Sequence, residues 1–287
     1  MEINEIKAFL AVTEAGSFSA AARQIHLTQP AVSKRIAQLE NRLKQPLFDR
    51  IGHQVALTEA GQRLLPHART ILNALQNGMH DVSRINTVPS GTLRIATSYH
   101  VGLHHLPDIL KSYYNEYPEV ELDLRFMDSE DALAGVENGD IELAIITLPL
   151  ILPNYLDAQA LWNDPMQVVC ANNHPIASAD DPRVLTSYPA VLPDTHTITR
   201  QLVEKMLSDQ GLDITVRLSS NHLESIRMMV EIGLGWSVLP LTLKSGELTY
   251  RDFAGLSFTR QLGIVTHRQR TLTTAADVMI QRMPTTI

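Results

Sequence analysis

Gln29, Ser33 and Lys34 place an amide, a hydroxyl and an ammonium within one short stretch, LTQPAVSKRIAQLE at 27–40. Residues four apart share a helix face, so Gln29 and Ser33 would line up with Lys34 beside them. Amides and hydroxyls both donate and accept hydrogen bonds, and an ammonium adds three donors and a charge. Such a set suits the edges of bases and the phosphates around them. Nothing equally organised points to catalysis. There is no G-x-S-x-G, P-loop or HExxH in the chain, and Glu130-Asp131 reads as a solvated helix start.

These groups need a helix whose start is well defined, and Pro30 supplies it. With Thr28 as N-cap, Gln29 and Pro30 fall in the first turn, where amide hydrogens have no helical partner and a proline loses nothing. Val32, Ile36 and Leu39 then form the buried face. Upstream, Ser17 is a good N-cap for a helix carrying Ala20, Ala21 and Ala22, small residues that permit close helix approach. Ile6, Phe9, Leu10 and Thr13 mark an earlier helix that ends at Gly16. Downstream, PLFDR, the turn-like IGHQ and VALT form a small β-wing that Arg50 opens. Two helices joined by a short turn, with polar residues at the start of the second, make a helix-turn-helix. An amphipathic helix with a solvated polar face is the plain alternative. The alanine-rich partner, the Gln-Pro start and the wing weigh against it.

From Thr58 to about Ile85 a long helix is expected. Leu65, Ala68, Leu72, Leu75, Met79 and Val82 recur at steps of three and four along it, an a/d seam. Read as a dimerisation helix, it would meet its copy from a second chain; a helix lying on its own domain is the other reading. TVPSG at 87–91 breaks the pattern as a linker. After Thr92, strand and helix signals alternate through TLRIATS, VELDLRFM, IELAIITLP, MQVVCAN, ITVRLSS, WSVLP and LGIVTH. That rhythm predicts an α/β fold with mainly parallel sheets.

The whole chain of 287 residues carries a net charge of −7, which argues against a general nucleic-acid binder. Residues 1–90 are nevertheless basic, at +3, and the remainder acidic, at −10. A basic head on an acidic body suits a polyanion-binding module attached to a sensor or enzyme. Cys170 stands alone, so no intrachain disulfide can form, and within MQVVCAN it reads as an inert core thiol. No apolar run approaches the roughly 20 residues of a membrane span. The N-terminal apolar run is too interrupted for a secretory signal, so a cytoplasmic location and no membrane partner are expected.

FLAVTEAGSFSAAARQIHLTQPAVSKRIAQLENRLKQPLFDR followed by VALTEAG resembles the winged helix-turn-helix of LysR-type transcriptional regulators, almost without gaps from Phe9 to Gly61. NNHPIAS and GLGWSVLP resemble later family segments. The resemblance implies an all-α winged helix-turn-helix at 1–58, a linker and dimerisation helix at 59–86, a hinge at 87–92 and an effector-binding α/β region at 93–287. That region would form two subdomains like those of periplasmic binding proteins, about 93–161 with 265–287, and 162–264. Carried over by position, Gln29, Pro30, Ser33 and Lys34 would meet DNA. Glutamine can pair with adenine, and lysine with guanine or phosphate; Arg50 would contact the backbone or the minor groove, and Arg35 would be either a solvated or a phosphate-side charge. Two departures stand out: Lys44 follows Leu43 where the family usually has glycine, and the wing tip 51–54 lacks its usual arginines.

The same resemblance implies a small effector between the subdomains, a carboxylate-bearing metabolite facing Thr97, Ser98, His100, Thr147, Thr199 and Asn221. Double-stranded operator DNA, RNA polymerase and a second or further copy of the chain, as homodimer or homotetramer, are its implied partners. His100 and His104 could share a helix face with His105 nearby. No cysteine or carboxylate in that stretch completes a tetrahedral set, so no metal or other cofactor is expected. His100 is read instead as an anion-binding donor. The α/β body alone would also fit a periplasmic-type solute-binding protein or a metabolite-handling enzyme; the interrupted N-terminal run and the helix-turn-helix speak against the first, and the lack of a catalytic motif against the second.

Overall fold

The computed structural model describes residues 1–51, 54–83 and 88–284, apart from the side chains of 50, 51, 54, 73, 74 and 76–83. Near residue 85 the chain divides into two compact units. The first comprises α1 (Ile3–Ala15), α2 (Phe18–Gln24), α3 (Gln29–Leu43), the hairpin β1 (Phe48–Ile51) and β2 (Gln54–Leu57), and α4 (Glu59–Ser83). Gly16 ends α1 in the left-handed region, at φ 59°, and the Ser17 hydroxyl then accepts the Ala20 amide at 3.5 Å to start α2. At the head of α3, Thr28 is extended and Pro30 sits in the first turn. The Thr28 hydroxyl makes no capping bond; its carbonyl instead accepts from the Ala31 and Val32 amides. Val32, Ile36 and Leu39 are fully buried in a core shared with Phe9, Ala21, Ala22 and Phe48.

Lys44 closes α3 at φ 53°, ψ 33°, the left-handed conformation a glycine would adopt without penalty. Its amide and that of Gln45 both bond the Glu40 carbonyl, so the helix end imposes the geometry on the lysine. Lys44→Gly is therefore expected to stabilise the first unit by about 0.5–1 kcal/mol. A higher urea midpoint would show it; an unchanged one would mean that the lysine stem repays the strain.

In α4 the Thr58 hydroxyl accepts the Gly61 amide at 3.1 Å, as its capping role requires. The apolar seam divides. Ala68 is buried in the core of its own unit, with Leu65 and Leu72 packed against it, so the first half of α4 lies on its own domain. Leu75 is half-buried, and the side chains of Met79 and Val82 lie outside the described residues.

The second unit runs β3 (Gly91–Thr97), α5 (Tyr99–His104), α6 (Pro107–Glu116), β4 (Val120–Phe126), α7 (Ser129–Asn138), β5 (Leu143–Thr147), β6 (Leu156–Ala171), β7 (Ala190–Leu192), α8 (Ile198–Asp209), β8 (Val216–Ser219), α9 (Leu223–Glu231), β9 (Ser237–Pro240), β10 (Leu248–Arg251), β11 (Phe258–His267) and α10 (Thr274–Gln281). Gly91 and Thr92, placed in the hinge by sequence, already belong to β3. Its main sheet has the order β10-β6-β11-β5-β3-β4, with β9 also on β6. It is mixed rather than mainly parallel. β3 runs parallel to β4 and β5, but β11 is antiparallel to β5 and β6, and β9 and β10 are antiparallel to β6. Helical crossovers make neighbours parallel inside a lobe; a strand returning from the other lobe enters the sheet reversed.

Alternation builds the first lobe. Leu93, Ile95, Leu143 and Ile145 face Tyr113, Ala276 and Met279 on one side, while Ala96, Ala144 and Ile146 face Ala132 and Val136 on the other. In the second lobe, Met166, Val168 and Cys170 pack with Trp236 and Val203. Burial pushes the Cys170 thiol up to about 11, as an inert core thiol requires. The lobes are joined by β6 and β11, paired from Leu156↔His267 to Met166↔Phe258 with a bulge at Leu262/Gly263. Both subdomain boundaries expected from sequence, near 161 and 264, fall within these strands. Gly263 has no room for a Cβ, which would sit 2.2 Å from the Gln159 carbonyl oxygen.

Candidate functional site

On α3, Gln29, Pro30 and Lys34 are exposed, and Ser33 and Arg35 are partly so. Gln29 Nε2 donates to Ser33 Oγ at 2.9 Å, which holds the amide along the helix surface rather than leaving it to rotate. The Arg50 side chain and residues 52–53 of the wing tip lie outside the described residues.

The second candidate lies where the lobes meet. Strand ends and helix starts converge there: α5 begins after Ser98, β5 ends at Thr147, α8 begins at Ile198, and Asn221 precedes α9. Ser98, His100, Thr147, Thr199 and Asn221 all line one pocket, together with Asp128, Glu130, Thr197 and Arg260. Thr97 does not. It is fully buried and its hydroxyl donates to the Ile145 carbonyl at 2.9 Å, which ties β3 to β5 instead of facing a ligand.

Arg260 organises the floor of this pocket. It is directly opposite Asp164 in the β6–β11 register, and its Nε donates to Asp164 Oδ2 at 2.7 Å while Nη1 donates to Thr199 Oγ1 at 2.9 Å. Both charges are nearly inaccessible, at 4% and 2% exposure. Arg260 Nη2 and Ser98 Oγ are buried without a hydrogen-bond partner among the described residues. Two carboxylates from the first lobe reach across. Glu130 accepts the Ile198 amide at the start of α8 at 2.6 Å, so it is no solvated helix start but a charge held at a helix N-terminus, where the macrodipole favours it. Asp128 accepts from Asn221 Nδ2 at 2.6 Å, and Asn221 Oδ1 accepts the Asp194 amide at 3.0 Å.

Burial drives the His100 imidazole down to about 2, helped by the Arg260 guanidinium and by His104 and His105. The ring is therefore neutral, and its 3.7 Å approach to Asp164 is not an ion pair. Its Nε2 lies 3.2 Å from Thr242 Oγ1.

Sequence reading missed Arg260, Asp164 and the crossing role of Glu130. For Arg260 the signal was present. Phe258, Arg260 and Leu262 alternate inward along β11, so carrying the strand two residues further back would have exposed an arginine in an apolar register. Pro165 hid Asp164, because a proline argues against a strand interior.

Residues 86–286 match the model of the LysR substrate binding domain, and residues 3–62 that of the bacterial regulatory helix-turn-helix protein, lysR family. The chain belongs to the LysR family. Among curated relatives of this LysR-type transcriptional regulator, the RuBisCO operon transcriptional regulator of Allochromatium vinosum is 28% identical over 96% of this chain and 93% of its own. Full-length OxyR from Pseudomonas aeruginosa has the same fold, with a TM-score of 0.76 at 23% identity over 99% of this chain and 97% of that one. The effector binding domain of QuiR in complex with shikimate matches 67% of this chain and 97% of its own, with a TM-score of 0.60 at 14% identity. Among the described residues, no helix of the LysR-type chain is long and apolar enough to cross a membrane.

Proposed function

We propose that this regulator reads operator sites in double-stranded DNA with α3, and that a small carboxylate-bearing metabolite entering the pocket between the lobes changes that reading. In this scheme Gln29 and Lys34 meet base edges, Ser33 orients Gln29, Pro30 sets the helix entry, and Arg35 and Arg50 neutralise phosphates. The chain acts as a homodimer or homotetramer, joined through the later part of the α4 seam, Leu75, Met79 and Val82, because Leu65, Ala68 and Leu72 pack in the core of their own unit. RNA polymerase at the promoter is its implied further partner. We read the chain as a regulator and not an enzyme, because Arg260 is held by Asp164 and Thr199 as the floor of a binding pocket.

One observation carries the effector reading: Arg260 and Ser98 both line the pocket, and their Nη2 and Oγ are buried polar atoms without a partner among the described residues. Native structures satisfy such atoms, and a ligand carboxylate would satisfy both. It would also compete with Glu130 for the α8 N-terminus, an anion site by geometry. Displacing Glu130 would release one tie between the lobes, and a ligand that binds the released form better shifts the population toward it.

Titration with a panel of mono- and dicarboxylates, shikimate among them, tests this by thermal shift and operator affinity. The reading fails if no member moves either. For any that binds, Glu130→Gln is expected to raise affinity about two- to five-fold, the equivalent of the roughly 0.3–1 kcal/mol a charge is worth at a helix end. Unaltered affinity would place the ligand away from α8.

A further inference from the structure

We propose that His100, His104 and Glu224 form a binding site for a borderline transition-metal ion of the zinc class, bridging the two lobes beside the pocket. The three residues offer ligand atoms that all lie within 4.8 Å of one another. His104 Nε2 and Glu224 Oε1 are 3.1 Å apart, close to the roughly 3.3 Å that separates two ligands of one tetrahedral ion with bonds near 2.0 Å. His100 and His104 lie one turn apart on α5 with their rings tilted at 39° and centroids 4.8 Å apart, while Glu224 comes from the first turn of α9 in the other lobe. The carboxylate missing from the sequence around the histidines is thus supplied by the fold.

His100 gives independent support. It is 4% exposed, and its Nδ1 is buried without a hydrogen-bond partner. Its other ring nitrogen faces Thr242 Oγ1 at 3.2 Å. With the proton on Nε2, the hydroxyl fixes the tautomer and leaves the Nδ1 lone pair available, the arrangement by which outer-sphere groups orient metal-binding histidines. His104 and Glu224 are each about one-third exposed, which gives an ion a route in. Two imidazoles and one carboxylate favour zinc, nickel, cobalt or copper over magnesium and calcium, which prefer oxygen. A fourth position is left for water or an incoming ligand. His100, His105 and Asp164 also converge, but the Asp164 oxygen nearest His100 already accepts from Arg260 Nε, so it has no free lone pair directed at an ion. The first set therefore carries the site.

Full-length, tag-free protein treated with chelator and then dialysed tests the site with metal alone. Isothermal titration with Zn2+ is expected to show one ion per chain. Co2+ should give the visible absorption of tetrahedral coordination. His104→Gln and Glu224→Gln should each weaken Zn2+ binding by at least the roughly 10–100-fold seen when even an outer-sphere partner is lost, with unchanged circular dichroism, and should abolish the Co2+ signal. Both residues are partly exposed, so folding is expected to survive. Absence of stoichiometric binding overturns the proposal, as does binding indifferent to both substitutions or binding lost only in His105→Gln. The experiment needs no carboxylate effector, so its outcome is separate from that of the effector reading.

Discussion

Replacing Gln29 and Lys34 together by alanine is expected to lower operator affinity by about 2–6 kcal/mol, a loss of roughly 30-fold to 10⁴-fold. Each well-placed contact to a base is worth about 1–3 kcal/mol, and the two side chains stand on the exposed face at the start of α3. Neither belongs to the core formed by Val32, Ile36 and Leu39. Surface substitutions of this kind change stability by only about 0.5 kcal/mol, so circular dichroism and thermal midpoint should hardly move. Gel shift against an operator enriched from random DNA by the wild-type protein gives the readout. The single variants separate the roles. Loss of a base contact relaxes specificity at one position; loss of a phosphate contact weakens all sequences alike and reduces the salt slope by about one. Retention of sequence-specific binding by the double variant would remove α3 from the interface.

Arg260→Ala should be the most destabilising single change at the pocket, at about 3–5 kcal/mol. Asp164, 2% exposed, would be left buried without the guanidinium opposite it, and breaking one half of a buried pair costs that much. Thr199 would lose its donor at 2.9 Å as well. In a unit of some 200 residues each kcal/mol moves the thermal midpoint by about 2–4 °C, so a fall of roughly 6–20 °C is expected. Asp164→Ala combined with Arg260→Ala should fall by less than the sum of the single variants, because no orphaned charge remains. Additive losses would mean that the two groups are not coupled, and the floor of the pocket would need another explanation.

Much of this molecule is legible in its order of residues alone. Helix starts and ends are local events. Gly16, Ser17, Thr28 with Pro30, and Thr58 announce themselves by backbone preference and by which amides lack partners. The winged helix-turn-helix and its buried face follow, as do the strands of the first lobe: β4 alternates apolar and polar residues, and β5 is an apolar run buried throughout. Of the effector residues that the family resemblance implied, Ser98, His100, Thr147, Thr199 and Asn221 line the pocket, where strands end and helices begin. Thr97, one residue away from Ser98, shows the limit: the same residue type can face the sheet or the cleft, and one step along a strand decides which.

The sequence by itself determined the helices of the first unit, the proline start and buried face of α3, and the alternation of strands and helices after residue 92, because each depends on neighbours within a few residues. Only the tertiary structure decided that Arg260 opposes Asp164, 96 residues away, that Glu130 reaches the head of α8 across 68 residues, and that Glu224 meets His104 across 120. Those meetings depend on strand register, on the return of β11 into the sheet, and on how the lobes close. A side chain's partner across such a span is set by the summed packing of everything between, which no local pattern encodes.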